Sequence, residues 1–197
     1  MRFSELWYRS CQTLKGNWGM AILASLIHTA ITGSAGELKC YGTLLGVLLS
    51  PLTAGLQLFF LRLAEKGGKD LKNLFQPFND YARFLWGAVR VMIFTLLWTL
   101  LFIVPGIIAG LRYSQAIFLM LDDPELKAAE AMKQSALLMK GHKWQLFCYL
   151  FVLILLLVVT AVCTLGIGLI WYVPFMHAFA ANFYLALRDR AVLPETN

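Results

Sequence analysis

The sequence predicts an all-α integral membrane protein with six transmembrane helices in three repeated hairpins, each preceded by a cytoplasmic interfacial helix. Of the 197 residues, 59% are hydrophobic and only 14% are charged, and the mean hydropathy is +0.68. A soluble domain is nearer half apolar and a quarter charged. The apolar residues form long blocks, as membrane-spanning helices do, and lack the alternation typical of β-barrel strands.

A short phrase occurs twice and suggests that the architecture was built by repetition. Residues 10–16 and 135–141 share Ser, Lys and Gly in register, and Trp18 or Trp144 follows before a long apolar stretch. Gly16 and Gly141 are placed to allow a sharp bend between a surface helix and a span. We therefore expect a single membrane domain over residues 1–197, with units 1–66, 67–121 and 122–190 and a flexible tail over 191–197.

The six predicted spans follow from the apolar blocks in chain order. The first two cover residues 18–32 and 44–63. Residues 84–121 form one block that is too long for a single span and suits two, divided near Val104-Pro105-Gly106. The fifth span covers residues 144–165, and the sixth follows the glycines at 166 and 168 and ends near Leu187.

The basic residues predict the orientation. With six spans, nearly all of the 17 Lys and Arg residues fall on the side that also holds both termini. Short loops rich in Lys and Arg stay cytoplasmic, so both termini are expected inside a bacterial inner membrane. This rule explains the net charge of +6 better than nucleic-acid binding does. We expect anionic lipid headgroups as partners and no nucleic acid.

Amphipathic segments before the outward-going spans predict interfacial helices. In the last unit, Asp123 and Pro124 suit a helix start as N-cap and first-turn residue. The apolar stripe of that helix contains Leu126, Ala129, Met132, Ala136 and Met139. Weaker versions contain Phe3, Trp7 and Leu14 in the first unit, and Leu71, Leu74, Phe75 and Phe78, interrupted by Pro77, in the middle unit. The lipid-surface candidates are Lys15, Lys133, Lys140, Lys143, Trp18 and Trp144. The alternative is that these segments are ordinary loops that happen to be helical.

Several of these motifs together carry a family resemblance. They are Val104 to Ile108, Arg112-Tyr113-Ser114, Asp122-Asp123-Pro124, Met139-Lys140-Gly141 with Trp144, Thr164 to Gly168, and Pro174. Over residues 100–188 the chain resembles the bacterial integral membrane family known as domain of unknown function nine-seventy-five. More remotely it is similar to the membrane domains of glycerophosphodiester phosphodiesterases. The first resemblance implies a multi-pass inner-membrane protein and no particular reaction.

Recognisable catalytic chemistry is absent from the sequence. There is no HExxH, P-loop or GxSxG motif, and all 11 acidic residues fall in loops or flanks of the predicted spans. The four cysteines form no CxxC pair, although Cys40 and Cys163 could both lie toward the outer face. We therefore expect no enzyme activity, no cofactor and no metal site.

Arg112 is the main candidate for a binding site. It lies about seven residues past Pro105, within a predicted span, where a charge is costly unless it is solvated or paired. An unpaired guanidinium facing the bundle could hold an anionic ligand or a lipid headgroup bidentately. Alternatively, Arg112 binds backbone carbonyls freed near a proline or snorkels to the interface. The candidate polar neighbours are Gln115, His28, Gln57, His177 and Asn182.

Helix-break positions are predicted at Pro51, Pro105, Gly106 and Pro174. Transporters use such breaks to expose backbone groups to a substrate, whereas plain kinks at helix interfaces are commoner. Three functions remain open. The favoured one is a non-enzymatic scaffold or accessory protein that binds lipid or a membrane or cytoplasmic protein, with homo-oligomers compatible. The others are a small-solute or lipid transporter with an anion site at Arg112, and an intramembrane lipid enzyme.

Overall fold

The computed structural model describes residues 2–36, 48–68, 70–101 and 103–192, and all regular structure in these ranges is helical. Cys40, the first residues of the predicted second span and the tail from residue 193 lie outside them. The elements, in chain order, are α1 (Phe3–Leu14), α2 (Trp18–Gly36), α3 (Ser50–Lys66), two 3₁₀ helices (Leu71–Leu74 and Gln76–Phe78), α4 (Tyr81–Leu101), α5 (Ile103–Tyr113), α6 (Ala116–Asp122), α7 (Ala128–Leu138), α8 (Lys143–Cys163) and α9 (Leu169–Val192).

The core is built around α3 and α9, which pack against each other and against α1 and α2. Phe59 and Phe60 of α3 point to different sides of that helix, and both are fully buried. A helix that is apolar all round requires such a central position. The apolar face of α1 closes one side of the core with Leu6 and Leu14. The predicted first interfacial helix therefore covers protein with its apolar face.

The apolar block over residues 84–121 divides into two antiparallel limbs, as the sequence predicts. The chain reverses between α4 and α5, next to Val104-Pro105-Gly106. A Cβ built on Gly106 would lie 2.2 Å from Thr99 Oγ1, so the two limbs can approach this closely only because residue 106 is glycine. The second limb is itself broken, because α5 ends at Tyr113 and α6 begins at Ala116. The sequence analysis missed this break.

The predicted helix break at Pro174 is wrong, whereas at Pro51 the helix is interrupted just before the proline: Leu48 is helical, Leu49 forms a turn, and α3 begins at Ser50. Pro51 lies in the first turn of α3, where a missing N–H and a fixed φ suit a helix start. Pro174 is buried inside α9, which continues through it. Pro105 and Gly106 lie in the first turn of α5, directly after the reversal. Pro51 and Pro105 therefore mark helix beginnings and Pro174 is accommodated inside a helix, whereas the break within the second limb falls at Ser114-Gln115.

The predicted start of the helix before the last hairpin is also wrong. Asp123 ends α6, and α7 begins only at Ala128 with Lys127 as N-cap. Asp123 instead accepts a hydrogen bond from the Glu125 N–H at its own side chain, 2.9 Å away. Such a local turn competes with helix formation. Of the predicted stripe, Leu126, Met132 and Met139 are buried, whereas Ala129 is exposed.

The two glycine bends are confirmed. Gly16 joins α1 to α2 with φ +80°, and Gly141 joins α7 to α8 with φ +86°. We call the segments 10–18 and 135–144 the first and second elbow. In the middle unit, the described residues 70–80 directly before α4 include no glycine bend. They contain the 3₁₀ segment, which packs on α3, where a Cβ on Gly55 would lie 1.9 Å from the Leu74 carbonyl oxygen.

Among the described residues, two helices are long and apolar enough to cross a membrane. They are Lys143–Cys163 and Leu169–Ala191, and Trp18–Thr32 is a shorter apolar helix. The second lies largely in the core, whereas α8 exposes most of its apolar side chains, including Phe151 at 63% and Val162 at 71%. The six-span topology stays a prediction.

Candidate functional site

Two adjoining cavities lie among α4, α5, α7 and the start of α8, and together we call them the basic cleft. The apolar cavity has about 230 Å³ and is lined by Arg90, Phe94, Arg112, Tyr113, Ala129, Met132, Lys133 and Ala136. The basic cavity has about 510 Å³ and is lined by Arg112, Lys133, Ala136, Leu137, Lys140 and Lys143. Arg112, Lys133 and Ala136 border both cavities, so the two are neighbours that share one wall.

The cations of the basic cleft are unpaired. In the described part of the chain, the ion pairs involve Arg9, Arg62 and Arg188, and none involves a residue of the cleft. No carboxylate lines either cavity. Like charges collected in one concavity raise the local positive potential and attract anions. The cleft is therefore built to concentrate negative charge.

Arg112 lies at the centre of the cleft and reaches solvent. It occupies the last turn of α5, where a cation also interacts favourably with the negative end of the helix dipole. Its guanidinium carbon lies 5.7 Å from the ring centre of Tyr113. In the described part of the chain the Arg112 side chain forms no hydrogen bond with a backbone carbonyl, and its exposure is compatible with the alternative in which it extends to the membrane interface.

Ser135 holds the break between α5 and α6. Its hydroxyl donates to the Arg112 carbonyl at 2.8 Å and accepts from the Gln115 N–H at 3.3 Å. Both backbone groups lose helical partners at the break, and an unpaired buried backbone group is costly. The Gln115 side chain is buried beside them and donates to Ser114 Oγ at 2.9 Å. A serine on the buried side of α7 therefore fixes Arg112 next to Lys133 of that helix.

Arg83 fixes the position of α7 relative to α4. Its guanidinium donates to the carbonyls of Met120, at 2.8 Å, and Leu126, at 2.9 and 3.1 Å, and also to the Asp123 carbonyl. The connection between α6 and α7 is thereby tied to α4, which carries Arg90. Sequence spacing does not indicate these contacts, because the partners of Arg83 lie about 40 residues away.

The other predicted ligand candidates lie outside the basic cleft. His28 and His177 are brought together, with ring centres 6.4 Å apart, and His28 Nε2 lies 3.3 Å from Thr53 Oγ1. Asn182 donates to Thr13 Oγ1 at 3.1 Å, so it joins α9 to α1. Gln57, on α3, has a buried side-chain oxygen without a partner. None of these residues, nor Gln115, lines either cavity of the cleft.

The predicted lipid-surface residues divide between the two elbows. Lys133, Lys140 and Lys143 all border the basic cavity. Trp144, directly after Lys143, is 74% exposed and stacks on Phe147 at 5.3 Å between ring centres. In the first elbow, Lys15 is exposed but borders no cavity described above, and Trp18 is half-buried against the core.

A separate polar network joins the ends of α3, α6 and α9. Arg188 pairs with Glu65 at 2.6 Å and with Asp122 at 3.0 Å, and the Tyr184 hydroxyl donates to Asp122 at 2.9 Å. The positive charge is neutralised here by two carboxylates, so this network ties helices together and contrasts with the cleft. In the described ranges, no group of three or more His, Cys, Asp or Glu residues lies close enough to hold a metal ion.

Comparison with known proteins assigns the family. The family described as Protein of unknown function (DUF975) matches residues 87–191, just over half of the chain. No curated protein and no solved structure matches the chain, and the remote resemblance to glycerophosphodiester phosphodiesterases gains no support. The matched region contains every residue that lines the basic cleft. The chain belongs to the DUF975 family.

Proposed function

We propose that the protein is a multi-pass protein of the bacterial inner membrane, with both termini cytoplasmic, that acts as a non-enzymatic scaffold or accessory protein by binding anionic lipid headgroups. The observation that carries this proposal is the set of unpaired cations that line the basic cavity, next to the start of α8. The rest of α8 exposes apolar side chains.

The exposed apolar surface supports the membrane part of the proposal. Leu155, Val159 and Val162 of α8 are more than half exposed, and so are Ile93, Leu96 and Leu97 of α4. Burying apolar surface away from water is worth about 25 cal/mol per Å². Contiguous apolar surfaces of this kind mark contacts with membranes or proteins, and acyl chains are the simplest environment that covers two separate helices.

The position of the cations supports the lipid part. Lys143 and the exposed Trp144 stand at the first turn of α8, where an interfacial tryptophan and headgroup-binding lysines are typically found. Anionic headgroups of the cytoplasmic leaflet attract basic segments by about 1 kcal/mol for each Lys or Arg near the surface. The neutral side chains that line the basic cavity are Ala136 and Leu137, so it offers cations and no nucleophile–base pair, which favours binding over catalysis.

The proposal is tested by membrane extraction and by the lipids that accompany the protein. Membranes from expressing cells are washed with alkaline carbonate, and the protein is then isolated with its surrounding lipid in polymer-bounded nanodiscs. We expect the protein to stay in the membrane pellet and its nanodiscs to be enriched in anionic lipid relative to the bulk membrane. Release by carbonate, or a lipid composition equal to that of the bulk, would contradict the proposal.

A matched pair of charge variants tests whether the basic cavity causes the enrichment in anionic lipid. One variant carries Lys133→Gln, Lys140→Gln and Lys143→Gln at the basic cavity, and the control carries Lys15→Gln, Lys72→Gln and Lys127→Gln, none of which lines either cavity. Both lose three positive charges. The first should lose the enrichment in anionic lipid and the control should keep it. Equal loss in both would mean that net charge, and not the cleft, attracts the lipid.

A transporter is the second candidate, and the broken helix beside Arg112 is the observation that favours it. A break between α5 and α6 at the edge of a cavity resembles the discontinuous helices of transporters. Uptake of radiolabelled inorganic phosphate into proteoliposomes tests this candidate. Uptake that Arg112→Ala abolishes and Lys127→Ala preserves would support it, whereas uptake equal to that of protein-free liposomes would rule it out for this anion.

A further inference from the structure

We infer that the basic cleft selects lipids whose phosphate headgroups carry two negative charges, with the headgroup in the basic cavity and an acyl chain in the apolar cavity. This inference rests on the proposed function and names the class of lipid that the site takes. The observation that carries it is that a cavity lined mainly by cations lies beside a cavity lined mainly by apolar side chains.

The basic cavity has the charge of a site for a dianion. Arg112, Lys133, Lys140 and Lys143 surround a single space of about 510 Å³, and no carboxylate lines it. A phosphodiester such as phosphatidylglycerol brings one negative charge, which leaves most of this positive charge unmatched. A phosphomonoester carries a charge between −1.5 and −2 near neutral pH, and cardiolipin brings two phosphodiesters. Both satisfy more of the cations at once.

Arginine adds a geometric preference to the charge. The Arg112 guanidinium presents a planar fork that binds two phosphate oxygens in parallel. The guanidinium carbon lies 5.7 Å from the centre of the Tyr113 ring, which helps to orient it, and the Arg112 carbonyl is held by the Ser135 hydroxyl. The three lysines are point charges on flexible stems, which adapt to headgroups of different size. This combination suits a phosphate group as a class and does not require one particular headgroup.

The apolar cavity explains why the ligand is a lipid and not a free phosphate. It shares Arg112, Lys133 and Ala136 with the basic cavity and is otherwise lined by Arg90, Phe94, Tyr113, Met132 and Ala129, so most of its remaining wall is apolar. Phe94 and Tyr113 stand with ring centres 6.3 Å apart. Beyond them, α4 exposes Leu96 and Leu97. An acyl chain that leaves the basic cavity would therefore meet apolar side chains in the neighbouring cavity and on α4.

The experiment is native mass spectrometry of the full-length protein released from nanodiscs. The nanodiscs contain equal amounts of phosphatidic acid, cardiolipin, phosphatidylglycerol and phosphatidylcholine with the same acyl chains. We expect at least one of the two dianionic lipids to be bound about tenfold more than phosphatidylglycerol, the preference that one extra charge contact near a protein surface supplies. Equal binding of all three anionic lipids would overturn the inference.

The failure of the inference is distinguishable from the failure of the proposed function. If all three anionic lipids bind equally but more than phosphatidylcholine, the proposed function stands and the selectivity is refuted. If phosphatidylcholine binds equally well, both are refuted. Millimolar inorganic phosphate is added in a separate arm, and it should not displace the bound lipid. Displacement by the free anion would show that the apolar cavity contributes nothing, which also overturns the inference.

Two sets of variants assign the selectivity to the two cavities. The double variant Arg112→Gln with Lys133→Gln should bring the dianionic lipids down to the level of phosphatidylglycerol, whereas Lys72→Gln with Lys127→Gln removes the same charge and should leave the preference intact. Ala129→Leu fills the apolar cavity from an exposed helix position. Leucine is a good helix former, so α7 should stay intact, and the larger side chain should lower lipid occupancy at least about threefold by filling the cavity. Unchanged occupancy would show that no acyl chain occupies that cavity.

Discussion

The two elbows carry the same phrase and the same backbone bend, but they stand in different surroundings. Ser10 is buried and its hydroxyl donates within its own helix, to the Leu6 carbonyl at 2.7 Å. Ser135 is equally buried, but it bridges to the break between α5 and α6. Lys15 borders neither cavity of the cleft, whereas Lys140 lines the basic cavity. The phrase therefore specifies a bend, and the partners of the second elbow make that bend one wall of the basic cleft.

The charges near the two elbows also differ: a cation near the first is paired, whereas a cation near the second is not. On α1, Arg9 is paired with Glu5 one turn away, at 3.0 Å. On α7, Lys133 forms no ion pair in the described part of the chain, although Glu130 precedes it on the same helix. A paired surface charge attracts a ligand weakly, whereas unpaired cations in a concavity attract anions. The comparison predicts that the elbows respond differently to matched substitutions.

The largest difference is expected between Arg83, which anchors the segment before the helix of the second elbow, and Arg9, on the helix of the first. Arg83→Ala removes the hydrogen bonds to three carbonyls before α7 and should cost roughly 3 kcal/mol of unfolding free energy. Arg9→Ala removes an exposed ion pair and should cost at most about 0.5 kcal/mol. The measurement is unfolding in mixed detergent micelles, followed by circular dichroism. Equal losses would show that the Arg83 clamp does not hold α7.

The serines of the two elbows should give the next largest difference. Ser135→Ala leaves the Arg112 carbonyl and the Gln115 N–H without partners and should cost about 2 kcal/mol. In Ser10→Ala the Leu6 carbonyl remains within α1, so the cost should be about 0.5 kcal/mol. The same unfolding titration measures both. A Ser10→Ala cost as large as that of Ser135→Ala would contradict a special role for the second elbow.

The glycines should behave alike, which sharpens the comparison. Gly16 and Gly141 both have positive φ, and a Cβ would meet nothing within 4 Å at either position. Only backbone strain remains, so Gly16→Ala and Gly141→Ala should each cost about 1–2 kcal/mol. Costs that differ by more than the error of the titration would mean that one of the two bends is not as described.

The lysines should show the smallest effect on stability and a clear effect on binding. Lys15→Gln and Lys140→Gln replace exposed side chains and should each change the free energy of unfolding by less than about 0.5 kcal/mol. Anionic lipid retained in nanodiscs should fall only for Lys140→Gln, because Lys140 lines the basic cavity. A loss of lipid in both variants would remove the distinction between the elbows.

Local features of this fold could be predicted from the sequence. The glycine bends at Gly16 and Gly141 follow from a residue that adopts positive φ without steric cost, and the reversal near Pro105 follows from the length of one apolar block. The all-helical class follows from composition and blocks of apolar residues. Each of these features depends on a few neighbouring residues or on the overall composition, so a single sequence is enough to predict it.

Features that depend on distant partners could not be predicted. The start of α7 was misplaced because Asp123 forms a local turn and the Leu126 carbonyl is bound by Arg83, which lies far earlier in the chain. The break at Ser114-Gln115 contains neither glycine nor proline, and Ser135 stabilises it from another helix. The residue Arg112 was identified as a candidate, but its true neighbours, the lysines of α7 and α8, were assigned only to the membrane surface.

Photo-crosslinking with lipid tests the central claim most directly. Full-length protein in liposomes is irradiated with phosphatidic acid that carries a photoreactive group near the headgroup, and the modified peptides are identified by mass spectrometry. We predict that the adducts concentrate on the segments that border the basic cleft, at the end of α5, on α7 and at the start of α8. Adducts spread equally over the first elbow, or concentrated there, would contradict the assignment of lipid binding to the second elbow.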